Sequence, residues 1–197
     1  SDWSDMRSRS ESLEFALLGL LNQGPLHGYE LRKRMISIYG PFRALSFSVL
    51  YPQLHRMLEE KLIEESISET GGLSRRSRIV YAITKTGQKR FEELTQSSGP
   101  EAWEDESFEV RFAFFGPTPR GNRVAILEGR HRKLVEKAAI LRQSALESEK
   151  EFAKASRANS QDGLDKYLVE WRRHSLESAE REIAWLEEMI KSERKAK

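Results

Sequence analysis

The segment from Ser46 to Lys61 carries the side chains best suited to recognition chemistry. Its apolar residues recur at helical spacing. If Leu50, Leu54 and Leu58 face a core, the wheel turns the opposite side outward. That side, with one residue at its margin, presents groups that can donate hydrogen bonds to phosphates or base edges, namely Ser48, Tyr51, His55 and Arg56. The alternative is an ordinary solvent-facing helix surface.

A basic loop follows this segment. Arg75, Arg76 and Arg78 lie within four residues, with no acidic residue between them. Such a loop can contact phosphates or enter a minor groove. Its alternative explanation is a solvated basic turn. We favour recognition because the loop and the polar helix face occur together in one arrangement of elements.

The first half of the chain predicts that arrangement. Helices are expected over 12–21, 27–38 and 46–61, strands over 62–68 and 78–84, and a fourth helix, capped by Thr84, to about residue 98. This order is the plan of a winged helix-turn-helix with a two-stranded wing. Three short helices bury a shared core, and the hairpin packs beside the third helix.

The second half of the chain predicts helices alone. A short phenylalanine-rich helix precedes long ones over about 119–157 and 164–192. Their apolar residues repeat at alternating steps of three and four, which favours packing with a second copy. The residues assigned to dimerisation are Leu127, Leu134, Leu141, Ile183, Leu186 and Ile190. The alternative is a hairpin within one chain, packed on the fourth helix.

The sequence therefore predicts a mainly α protein with three parts. Residues 1–11 are expected to be a disordered arm, 12–98 the winged helix-turn-helix, and 101–194 an all-α dimerisation domain with long helices. The boundary lies at Gly99-Pro100 and the acidic stretch after it.

Composition excludes several classes of function. The 197 residues contain no cysteine, which excludes disulfide scaffolds, zinc fingers and thiol catalysis. Without an apolar signal core or membrane span, a cytoplasmic location is expected. No phosphate-binding glycine loop or nucleophile motif is present, so neither an enzyme nor a cofactor is expected. His131 and His174 lack a third metal ligand, and we predict interfacial histidines and no metal site.

Several motifs carry a family resemblance. They are the Leu-Leu-Gly-Leu-Leu run within 17–21, Pro25-Leu-His-Gly-Tyr29, Leu50-Tyr-Pro-Gln-Leu54, and Tyr81-Ala-Ile-Thr followed by Gly87. Over residues 12–96 the chain resembles the PadR family of bacterial transcriptional regulators. By pattern alone, the second half resembles the longer, virulence-regulator-like members, which carry a C-terminal helical dimerisation domain.

The resemblance implies a double-stranded DNA partner. The positions it assigns to DNA binding are His27, Tyr29, Ser46, Ser48, Tyr51, Gln53, His55, Arg56, Arg75, Arg76 and Arg78. The family's recognition helix usually starts with Ser-Pro-Gly, where this chain has Ser46-Phe-Ser. Ile79 and Ala82 replace the basic or aromatic residues frequent in the second strand. Base preference therefore cannot be carried over.

The resemblance also implies regulation. We expect a homodimeric repressor that binds a palindromic operator and is released by a small aromatic or drug-like effector. The aromatic residues that could line an effector pocket are Trp103, Phe112, Trp171 and Trp185; aromatic residues at helical spacing are more often simply core. The alternative function is a winged-helix protein–protein adaptor without DNA binding. The formal net charge of only +2 argues against a general positive field, but not against a local basic contact.

Overall fold

The structure is a computed structural model that describes residues 2–40, 47–69, 78–157 and 163–196. The helices are α1 Asp2–Leu21, α2 Gly28–Tyr39, α3 Phe47–Glu59, α4 Lys85–Thr95, α5 Pro100–Trp103, α6 Asp105–Ala113, α7 Arg120–Arg157 and α8 Gly163–Lys195. The strands are β1 Leu26–His27, β2 Ile63–Ile67 and β3 Ile79–Ile83. Among these described residues, none of the helices combines the length and apolarity that crossing a bilayer requires.

Helix α1 begins earlier than the sequence predicts. Residues 1–11 are expected to be a disordered arm with Ser10 as the helix cap, whereas the structure continues the helix back to Asp2. The buried run around Phe15 and Leu18 fixes the carboxyl-terminal half in the core. Adding residues to a helix already formed costs far less than nucleating one, so the polar turns before it can propagate.

A small antiparallel sheet lies beside these helices. Strand order is β1-β3-β2, with Ile63 opposite Ile83 and Leu26 opposite Tyr81. The two strands of the wing agree with the prediction. The sequence missed β1 because two residues are too few to show strand periodicity.

The end of α3 is a tight turn. Lys61 has a φ of 59°, its N–H bonds to the Leu58 carbonyl at 3.1 Å, and the Leu62 N–H bonds to the Met57 carbonyl at 2.9 Å. This is the Schellman arrangement, with lysine in the left-handed position that usually holds glycine. The sequence predicts that α3 continues to Lys61; the chain instead reverses there to enter β2.

Helices α5 and α6 pack with the first half of the chain. The Phe114 ring, just after α6, lies 5.5 Å from Phe15 and 6.1 Å from Phe91, measured between ring centroids. A Cβ on Gly19 would come within 2.5 Å of the Phe114 ring, so glycine allows this approach. The compact units are accordingly Ser1–Arg123 and Val124–Lys197, a later division than the predicted boundary at residues 99–100.

In the second unit, α7 and α8 form an antiparallel helical hairpin. Arg130 of α7 pairs with Glu182 of α8 at 3.1 Å, and Arg142 pairs with Glu180 at 3.1 Å. Leu127, Leu134 and Leu186 are buried within the one chain. The two long helices thus cover part of their apolar seam without a second copy.

Candidate nucleic-acid interface

Helix α3 presents a polar face to solvent. Leu50, Leu54 and Met57 are almost fully buried in the core of the first unit. The exposed side chains of the opposite face are Ser48, Val49, Pro52, His55, Arg56 and Glu59. Tyr51 lies half-buried at the edge of this face. The outward orientation predicted from the helical wheel is therefore confirmed, and this face lies opposite the buried residues that anchor the helix.

Gln53 differs from the other predicted contacts on α3. Its side chain is only 4% exposed, and its Oε1 accepts hydrogen bonds from Arg56 Nη2 at 2.6 Å and from Ser10 Oγ at 3.0 Å. The amide thus lies beneath the exposed face, engaged with neighbours. Its helical position gave no sign of this, because the Ser10 partner comes from 43 residues earlier in the chain.

His55 and Glu59 are paired on the exposed face. His55 Nε2 lies 3.1 Å from Glu59 Oε1, one helical turn away. Both side chains remain largely exposed. An approaching phosphate would meet this carboxylate as well as the imidazole, so the basic character of the face rests mainly on Arg56.

Two predicted DNA contacts, His27 and Tyr29, lie at the start of α2 and differ in exposure. His27 is the residue before the helix and pairs through its backbone with Val80 of the sheet. Its Nε2 is buried without a hydrogen-bond partner among the described residues. Tyr29, on the first turn of α2, is 67% exposed. The tyrosine is therefore available at the surface, whereas the histidine is half-buried and its backbone pairs with β3.

The structure describes only the base of the wing. The Ser68 N–H bonds to the Arg78 carbonyl at 2.8 Å, which closes the hairpin below the loop. Arg78 is half-buried, and its Nε has no hydrogen-bond partner in the described part of the chain. The predicted contacts Ser46, Arg75 and Arg76 lie outside the described residues.

The aromatic residues predicted to line an effector pocket divide between the two units. In the first, Phe112 stands among phenylalanines, with its ring centroid 4.9 Å from that of Phe115, and Trp103 is half-buried. In the second, Trp171 lies 5.6 Å from His174 between ring centroids, and both side chains line a groove of about 410 Å³ between α7 and α8. Trp185 is 41% exposed on α8.

The predicted dimerisation residues occupy two environments. Leu127, Leu134 and Leu186 are buried in the chain, whereas Leu141, Ile183 and Ile190 are half-buried. Helices α7 and α8 also expose large apolar side chains that the seam pattern does not include: Val135, Ile140, Leu146, Phe152, Tyr167, Leu168, Trp171 and Trp185. The heptad pattern could not find these, because they lie off the seam that closes the hairpin.

Comparison with known families fits this geometry. Residues 17–93, from α1 to α4, match the model of the transcriptional regulator PadR-like family. The chain carries a PadR-like family domain over these residues. The matched segment contains α3, the strands of the wing and the residues that carry the resemblance seen in the sequence. The PadR-like domain therefore contains both the exposed face of α3 and the base of the wing.

Similar proteins match most of the chain, beyond the PadR-like domain. The negative transcriptional regulator PadR of Bacillus subtilis is 25% identical over 181 residues, covering 90% of this chain and 95% of the relative. A crystal structure of Bacillus subtilis PadR with operator DNA is 24% identical, covers 92% of this chain and 98% of that chain, and has a TM-score of 0.40. A PadR-like regulator from Bacillus cereus is 17% identical over 92% of this chain and 98% of that chain, with a TM-score of 0.38.

Proposed function

We propose that this protein is a sequence-specific DNA-binding transcriptional repressor that acts as a homodimer. Helix α3 enters the major groove, and the wing contacts the backbone beside it. The observation that carries this proposal is the exposed polar face of α3, which is anchored by buried leucines within a PadR-like domain. Repression is the action named for the full-length relative from Bacillus subtilis.

Local charge supports this mode of binding better than net charge does. Arg56 is exposed in the last turn of α3, and Arg75 and Arg76 occur together in the wing sequence. Each phosphate contact releases counterions and makes affinity depend on salt. With a formal net charge of only +2, we expect weak non-specific binding and a large advantage for the correct sequence.

The exposed apolar side chains of α7 and α8 support the homodimer. Ile140 is 71% exposed and Tyr167 is 70% exposed in the single chain. Burying such side chains against a second copy would contribute favourable free energy of association. A two-fold dimer presents two α3 helices, so the operator should be palindromic, with half-sites about one helical turn apart.

A small aromatic effector would release the repressor. The α7–α8 groove has Leu134 and Leu141 among its apolar lining, with Trp171 beside them. Of its charged lining, Lys137 is a cation, and Arg130 is paired with Glu182. Such a combination suits a flat aromatic molecule that bears a negative charge. A ligand bound there lowers DNA affinity only to the extent that it binds the form that does not bind DNA more tightly than the form that does.

The test of this function begins with selection of duplexes from a random DNA pool by the purified protein. We expect a palindromic sequence to be enriched. Replacing both Arg75 and Arg76 by alanine should weaken binding to that duplex. It should also reduce the slope of log affinity against log salt concentration by the equivalent of about one to two phosphate contacts. A protein–protein adaptor would enrich no DNA sequence, and unchanged binding by the double variant would exclude a role for the wing arginines.

A further inference from the structure

We propose that Gln53 positions Arg56 for reading DNA, and that the first half of α1 takes part in recognition through Ser10. This inference rests on the proposed function of the α3 face. It gives a role to two residues that do not themselves lie on that face, since Gln53 is buried and Ser10 belongs to another helix.

The carbonyl oxygen of Gln53 is the meeting point of two donors. Arg56 Nη2 donates to it at 2.6 Å, and Ser10 Oγ donates to it at 3.0 Å. The shorter bond is charge-assisted, which makes it stronger than one between neutral groups. With two donors on one oxygen, the orientation of the amide is fixed, because a reversed amide would set its NH₂ group against both of them.

Fixing one end of Arg56 leaves the rest of its guanidinium available. The group carries five N–H donors in one plane, and the bond to Gln53 comes from Nη2 alone. A free arginine loses rotamer freedom when it binds a base or phosphate, and this loss weakens binding. An arginine already held by Gln53 loses less, and its plane is set before DNA arrives.

Ser10 links this arrangement to α1. The hydroxyl lies in the polar first half of α1, and the same helix makes a second contact two residues later, where Ser12 Oγ lies 3.1 Å from the Tyr39 hydroxyl of α2. The middle of α1, at Ser10 and Ser12, therefore contacts both helices of the helix-turn-helix. Loss of order in these turns would release one of the two donors that hold the Gln53 amide.

A double-mutant cycle on DNA affinity tests the inference. The probe is the duplex enriched by wild-type protein from the random pool, with a scrambled duplex of equal length as non-specific reference. Gln53→Met keeps the side-chain size but removes the acceptor, and we expect about tenfold weaker specific binding, within the range of one base contact. In an Arg56→Ala background, the same substitution should change affinity less than about twofold.

A purely structural role for Gln53 predicts a different result. Gln53→Met would then weaken binding equally with Arg56 or alanine at position 56, and that additivity would overturn the inference. Ser10→Ala provides a milder test, since it removes one donor and keeps the α1 helix: we expect about a threefold loss with Arg56 present and none without it. Equal losses in both backgrounds would again overturn it.

Two controls separate this inference from the proposed function. Gln88→Met makes the same exchange at an exposed position on α4 and should leave DNA affinity unchanged. If wild-type protein enriches no sequence, the proposed function itself fails. If wild-type protein binds its duplex but the cycle is additive, only the positioning role fails.

Discussion

The Thr84 hydroxyl lies 2.7 Å from the Lys61 carbonyl oxygen, to which it donates a hydrogen bond. The same oxygen of Thr84 accepts from the Gly87 N–H at 3.0 Å, which caps the start of α4. One side chain therefore joins the turn that ends α3 to the beginning of α4. The end of the proposed recognition helix is held by this connection, 23 residues away in sequence.

Replacing Thr84 by valine should destabilise the first unit. Valine has the same shape but can neither cap α4 nor bond to Lys61, so we expect the free energy of unfolding to fall by about 1–2 kcal/mol. Urea denaturation followed by circular dichroism measures the change. Thr84→Ser keeps the hydroxyl and should retain most of the stability; an equal loss in both variants would contradict the capping role.

Replacing Lys61 by glycine should stabilise the protein. The φ of 59° at Lys61 is unfavourable for a side chain with a Cβ, and glycine removes a cost of about 1 kcal/mol. The midpoint of urea unfolding should therefore rise. Lys89→Gly is the matched control, because this exposed helical lysine has no such strain and its replacement should lower stability by about 1 kcal/mol. A loss in both variants would contradict the prediction.

Glu14 should make stability depend on pH. Burial raises the pKa of the Glu14 carboxyl above its usual 4.5, and nearby Arg90 opposes this. The folded protein then binds this proton more tightly than the unfolded chain, so the contribution of Glu14 to stability falls as pH rises from 4.5 through the raised pKa. Glu14→Gln removes this titration. The free energy of unfolding of the variant, relative to wild type, should therefore be higher at neutral pH than at a pH below 4.5.

Arg90 provides the companion test for the same site. Its Nη2 lies 3.5 Å from Glu14 Oε2 and lowers the pKa of the carboxyl. Arg90→Met should lower the free energy of unfolding at neutral pH, because the Glu14 carboxylate then lacks its nearby cation. Adding Glu14→Gln to this variant should remove that loss. If the difference between Glu14→Gln and wild type were the same at both pH values, the buried carboxyl would not be the cause.

Replacing Ile140 by glutamate should weaken the dimer. The side chain is 71% exposed in one chain, so the substitution should change the folding of the protomer little. In a dimer that buries it, the charge should raise the dissociation constant at least tenfold, or about 1.4 kcal/mol. Light scattering over a dilution series measures this. Ile67→Glu, at an exposed isoleucine of the wing, should leave the dimer intact, and an unchanged dimer in Ile140→Glu would exclude this face.

The sequence by itself determined the features that depend on periodicity and local chemistry. Apolar spacing located α3 and its exposed face, the paired strands of the wing and both long helices, because each pattern reports which side of an element avoids water. Thr84 was identified as a cap from its position before α4, and the structure confirms it. The family motifs, which lie in the first half of the chain, agreed with the predicted winged helix-turn-helix.

Only the tertiary structure decided which distant groups meet. Gln53 has the same local sequence whether it faces solvent or lies beneath Arg56, and the Ser10 partner that holds it comes from turns expected to be disordered. Phe114 joins Phe15 and Phe91 across the predicted boundary, and the seam of α7 and α8 closes partly within one chain. Such contacts depend on packing between elements far apart in sequence, which local propensity does not encode.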